Sequence, residues 1–257
     1  MRSAWLVGVV AACSSAPPSG EARSGPGSAA AVASDAAIVA IVARAEAATL
    51  VAPNAVDAGR TVAIVDAPMA WSDERARLTL DYRRAHSDPA ATDLTIAPRV
   101  IVLHYTAGGS ATGTRAYFDN VRVEAERKEI ARAGAVNVSS HFVVDRDGTI
   151  YQLQPETRFA RHCIGLNHIA IGIENVGDED RYQLTEAQVV ADAALVRDLA
   201  ARFPITHLLG HYEVMRFRGD PYYLERDPGY TNDKPDPGKR FMARVRERVA
   251  DLRLSGL

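Results

Sequence analysis

The chain has 257 residues, 47% of them hydrophobic, and a formal net charge of −2. That length suits one substantial domain with appendages, and the near-zero charge argues against a nucleic-acid partner. The two cysteines, Cys13 and Cys163, exclude an intramolecular disulfide framework, because Cys13 falls in a leader-like segment.

Residues 1–13 read as an export signal. Arg2 supplies the positive charge, and residues 5–12 form an apolar core too short to span a bilayer. Val10-Ala11-Ala12-Cys13 is similar to a bacterial lipobox, which would make Cys13 the lipidated residue; an ordinary secretory signal with an incidental cysteine is the alternative. The lipobox predicts an exported lipoprotein on the periplasmic face of a membrane, with the outer membrane favoured. Residues 14–35, rich in Ser, Ala, Gly and Pro, read as a flexible tether.

Residues 36–97 are expected to form an extension packed on the main domain. Within it, 36–50 reads as a helix, and 72–82 as another with Ser72 as N-cap and Arg75 and Arg77 outward. The main domain, 98–257, opens with residues 99–104, apolar until their end, as expected of a strand buried on both faces. A Gly/Ser/Thr loop follows over 106–113; it lacks the Gly-Lys-Ser/Thr ending of a phosphate loop. A helix carrying Tyr117, Phe118 and Val121 comes next. Residues 141–144 and 149–153 form a hairpin through Asp147-Gly148.

Residues 169–176 alternate. Ile169, Ile171 and Ile173 share one face; Ala170, Gly172 and Glu174 share the other, whose small side chains leave room for a ligand beside the carboxylate. Thr185 and Gln188 make a capping box for a helix with Val189, Ala193, Val196, Leu199 and Phe203 on one side, ended by Pro204. A short strand over 206–210, a long loop to Gly238 and a final helix with Phe241, Val245, Val249 and Leu252 complete the chain. This alternation predicts an α/β fold with a central sheet flanked by helices.

Two histidines at strand ends, His104 and His211, and Asp236 in Lys234-Pro235-Asp236-Pro237-Gly238 have the residue types of an open zinc site. Three protein ligands leave one position for a reacting water, whereas a closed set of four would be structural. Pro235 and Pro237 stiffen the backbone around Asp236. Asp227-Pro228-Gly229 repeats the tripeptide but has Glu225, not a lysine, two residues before the aspartate; Asp236 is preferred. No helical His-Glu-x-x-His and no Gly-x-Ser-x-Gly is present, which disfavours a common metalloprotease and a serine hydrolase.

Five segments in order carry a family resemblance: Val102 to Thr106, Ser140 to Ile150, Ile171-Gly172-Ile173-Glu174-Asn175, Gly210-His211, and Lys234-x-Asp236-Pro237-Gly238. Together, over 99–241, the chain resembles the zinc N-acetylmuramoyl-L-alanine amidases of the "amidase 2" type, related to peptidoglycan recognition proteins. The resemblance implies a single domain with a mixed sheet flanked by helices. It implies Zn(2+) on His104, His211 and Asp236, with Glu174 as proton acceptor and Lys234 as oxyanion donor. Thr106, His141, His162 and Asn167 would line a groove for peptidoglycan or muropeptides, cut between N-acetylmuramic acid and L-alanine. Arg161-His162-Cys163 departs from the Ala-Trp-His of many relatives, and the 212–233 segment is longer than their loop. A non-catalytic peptidoglycan-binding module is the alternative; the complete ligand set favours the enzyme. No nucleic-acid partner is expected, a monomer is favoured, and the membrane would be reached through the lipid on Cys13.

Overall fold

The computed structural model describes residues 62–256. The expected export signal with Cys13, the tether and the helix over 36–50 lie outside the described residues.

Among the described residues six strands form one mixed sheet: β1 (Val65–Asp66), β2 (Val100–Tyr105), β3 (Phe142–Val144), β4 (Ile150–Gln152), β5 (Ala170–Asn175) and β6 (His207–Gly210). Their order is β1-β4-β3-β5-β2-β6. Only β3 and β4 pair antiparallel, through the turn at Asp147-Gly148, where Gly148 has φ +89°. The other neighbours are parallel, so β2 lies between two parallel partners, β5 and β6.

The helices are α1 (Asp73–His86), α2 (Ala111–Asp119), α3 (Lys128–Arg132), α4 (Glu186–Arg202), α5 (His211–Val214) and α6 (Lys239–Arg248). Both halves of the Thr185–Gln188 capping box form at the start of α4, and Ser110 caps α2 by accepting from the Gly113 amide. α4 and α6 cover one face of the sheet, where Ile101, Leu103, Ile171 and Ile173 meet Leu195, Val196, Leu199, Met242 and Val245. Burying an aliphatic side chain of this size contributes about 1.5–3 kcal/mol, so this face is the chief apolar store of the fold. The opposite face carries Val100, Val102 and Ala170 under Leu166, Val214 and Phe217. By strand alternation His104 and Glu174 continue this second face.

Three expectations need correction. Arg75 does not point outward. It is 1% exposed, and its guanidinium donates to the carbonyls of Phe118 (2.5 Å) and Asn120 (2.7 Å), so α1 is bolted to the end of α2. A charge at helix spacing says nothing of a distant carbonyl that will receive it. Second, the 62–97 stretch is more than a packed appendage, because β1 pairs with β4 at the sheet edge. Third, the long loop after β6 begins as helix: α5 and a 3-10 turn, Met215–Phe217, precede the irregular part. The remainder docks on α1, where Glu225 lies 2.8 Å from His86.

Candidate metal centre and active site

The parallel strands β5, β2 and β6 end together. Their register sets His104 opposite Glu174, and Leu103 opposite Gly210, the residue before His211. Carboxyl ends of neighbouring parallel strands are where clefts form in open α/β sheets. His211 is held by its own turn: Glu213 Oε2 accepts from the Gly210 amide at 2.8 Å, and Arg246 grips that buried carboxylate from α6. The Tyr212 amide donates to the Asp236 carbonyl at 3.1 Å, which brings the distant Lys234–Gly238 segment to the same place.

Three donor atoms converge. His104 Nδ1 lies 3.0 Å from His211 Nδ1 and 3.2 Å from Asp236 Oδ2, and His211 Nδ1 lies 3.1 Å from the same oxygen. All three residues are buried. Zinc bonds of about 2.0–2.1 Å in a tetrahedron would separate donors by about 3.3–3.4 Å, so the triangle fits such an ion with little adjustment. Two imidazole nitrogens and a carboxylate oxygen are also the right chemistry for it. Asp227, the competing aspartate, is elsewhere, 3.3 Å from Arg132.

The electrostatics match a cation site. Burial alone would raise the Asp236 carboxyl, but His211 and His104 outweigh it and hold the group far below the ordinary carboxylate range. Burial lowers His104 to about 4, so the ring is neutral at pH 7 with a lone pair to give. Glu174 is raised well above its ordinary value, first by burial and then by Asp236; Lys234 and Arg127 pull it down. Its Oε2 is buried with no hydrogen-bond partner. Lys234 is exposed, yet close enough to act on both His104 and Glu174.

The four expected groove residues are all tied to the protein itself. His141 is fully buried; its Nε2 donates to the Arg158 carbonyl at 2.8 Å and its Nδ1 accepts from the Gly172 amide at 3.0 Å, which uses both ring nitrogens. Asn167 Oδ1 accepts from the amides of His162 and Cys163, both at 2.9 Å, and shapes the loop. Thr106 donates to the Gly108 carbonyl at 2.6 Å and accepts from the Gly177 amide at 3.2 Å. His162 lies beside His104, with Nδ1 3.0 Å from His104 Nε2. Cys163 is buried, and burial pushes its thiol well up, so it offers no thiolate.

Two supporting groups escaped the sequence reading. Arg127 acts on Glu174 and is hydrogen-bonded to the Tyr117 hydroxyl; no periodicity marks it. Asn175 Nδ2 donates to Asp192 at 2.9 Å and lies 3.4 Å from the His104 carbonyl. Asp192 did carry a signal, an acid on the apolar stripe of α4.

A family model described as N-acetylmuramoyl-L-alanine amidase matches residues 94–239, more than half of the chain. An endolysin of Escherichia phage T7 is 32% identical over 100 residues, 37% of this chain and 66% of that protein. Peptidoglycan-recognition protein SC2 of Drosophila melanogaster is 26% identical over 116 residues, 44% of this chain and 62% of its own. The chain thus spans just under two thirds of the length of these curated relatives. Among solved structures, the endolysin N-acetylmuramoyl-L-alanine amidase LysCS from Clostridium intestinale aligns at 23% identity with a TM-score of 0.49, over 77% of this chain and 99% of that one.

Proposed function

We propose that this chain, which belongs to the N-acetylmuramoyl-L-alanine amidase family, is a zinc-dependent hydrolase of the amide bond between N-acetylmuramic acid and L-alanine in peptidoglycan or its muropeptide fragments. The observation that carries the reading is the triangle of His104 Nδ1, His211 Nδ1 and Asp236 Oδ2, with edges of 3.0–3.2 Å. A zinc ion held there would supply a Lewis acid and bring the pKa of a water to about 7. Glu174, opposite His104 in the sheet register, takes a proton from the attacking water and passes it to the departing amine nitrogen. Lys234 donates to the oxyanion formed when the amide carbon becomes tetrahedral. The products are the lactyl carboxylic acid and the free stem-peptide amine. The expected lipid on Cys13 completes the proposal: it tethers the enzyme to the periplasmic face of a membrane, with the outer membrane favoured, within reach of wall material.

The test is digestion of purified muropeptides with and without chelator, followed by mass spectrometry. Free stem peptide should appear, vanish on chelation and return with zinc. Release that ignores the chelator, or no release at all, would refute the reading. Binding of muropeptides without release is the outcome expected of a non-catalytic module.

A further inference from the structure

His162 stands behind the metal triangle, and its bonding has one consistent proton arrangement. Its Nε2 lies 3.2 Å from the Ala170 carbonyl. A carbonyl only accepts, so Nε2 carries the hydrogen. In a neutral ring the other nitrogen, Nδ1, is then an acceptor. It faces His104 Nε2 at 3.0 Å, so His104 Nε2 must donate. That leaves His104 Nδ1 without a hydrogen, and Nδ1 is the atom pointing at His211 and Asp236.

The sequence makes room for this ring. A Cβ on Gly172 would come within 2.8 Å of His162 Cγ and Nδ1, so any larger residue there would drive the ring away. Gly172 is next to Ile171 and two residues from Ala170, whose carbonyl terminates the chain of bonds; one strand thus supplies both the space and the acceptor. The ring stands edge-on to His104, with centroids 5.2 Å apart and planes at 86°. His211 has no such support, since its Nε2 is buried without a partner.

We infer that His162 is a positioning residue for the metal: its ring fixes His104 as the Nε2–H tautomer and holds the His104 Nδ1 lone pair toward His211 and Asp236. This rests on the metal reading above. Partners of this kind, which accept the second N–H of a ligand histidine, commonly raise metal affinity by about 10–100-fold. Usually they are carboxylates or carbonyls; here an imidazole passes the bond on to a carbonyl.

The experiment measures zinc affinity of the full chain by chelator competition, together with the visible spectrum of the cobalt-substituted protein. His162→Phe keeps ring bulk over Gly172 but accepts no hydrogen bond; affinity should fall about 10–100-fold and the cobalt spectrum should change. His162→Asn sets an amide oxygen near the Nδ1 position and should restore affinity to within about threefold of the parent, because the acceptor is what matters. Thermal melts of the metal-free variants separate a folding defect, which would affect both substitutions, from a loss specific to Phe. Unchanged affinity and spectrum in His162→Phe would overturn the inference, as would a raised KM with zinc affinity intact, the pattern of a substrate contact. Equal loss in Phe and Asn would also overturn it. A parent protein that takes up no zinc would refute the metal reading itself, a result distinguishable from all of these.

Discussion

Asp192→Asn should stabilise the protein in a strictly pH-dependent way. The carboxyl is fully buried on α4; one oxygen accepts from Asn175 Nδ2 at 2.9 Å, and the other has no hydrogen-bond partner. Burial raises its pKa from 3.8 to about 7, against the pull of the Asn175 hydrogen bond. In the unfolded chain the group titrates near 3.8. Between about pH 4 and 7 the folded protein therefore keeps a proton that the unfolded chain has released. Stability from this group is complete below about pH 4 and is lost as pH rises through about 7. A gap of about three pH units, at 1.36 kcal/mol each, amounts to about 4 kcal/mol by pH 8. Asparagine is neutral throughout, nearly the same shape, and can accept the same bond. The variant should match the parent near pH 4 and exceed it by up to about 4 kcal/mol at pH 8, the difference growing by about 1.4 kcal/mol per pH unit in mid-range. His104 and His141, held down to about 4 by burial, act with the opposite sign, because they lose stability as pH falls from 6.5. The difference between the two proteins, not the parent curve, thus isolates Asp192. Urea unfolding followed by circular dichroism from pH 4 to 8.5 measures it. A difference that stays flat with pH, or one that favours the parent at high pH, would refute the reasoning.

Other substitutions separate the roles around the triangle. Glu174→Gln should lower kcat by about 10²–10⁴ while elemental analysis still finds bound zinc; His211→Ala should lose both metal and turnover. Lys234→Ala should cost about 10²–10³ in kcat with zinc retained, since its ammonium is outside the ligand set. Zinc at 100 times its Kd should add about 2.7 kcal/mol of stability, seen as a rise in Tm that chelator reverses and that His211→Ala lacks. Phe142→Ala, which empties a fully buried position between β3 and the α4 layer, should cost about 3–5 kcal/mol in chemical unfolding at any metal concentration.

From residue 98 onward the strands and the helices α2, α4 and α6 were legible because their signals are local; the short helices α3 and α5 were not read. The apolar run before His104, the alternation over 169–176, the Asp147-Gly148 turn and the Thr185–Gln188 box each act within a few residues. The candidate ligands were legible for a related reason: a histidine that ends a buried strand has an apolar segment to point it out, and the lysine marked Asp236 over Asp227. β1 was not legible, since two residues at a sheet edge, Val65 and Asp66, carry no period. Nor was the inward turn of Arg75, whose carbonyl partners lie more than forty residues away.

By itself, then, the sequence determined which residue types stand at which strand ends, because side-chain alternation and caps are properties of short stretches of backbone. Only the tertiary structure decided what those side chains meet. It brought His104, His211 and Asp236 to within 3.2 Å of one another. It committed His141 and Asn167 to backbone groups, and it set His162 behind His104 in the space left by Gly172. The physical reason is that hydrogen bonds and metal ligation depend on distance and direction in space, and parallel strand pairing joins segments whose separation along the chain leaves no local trace.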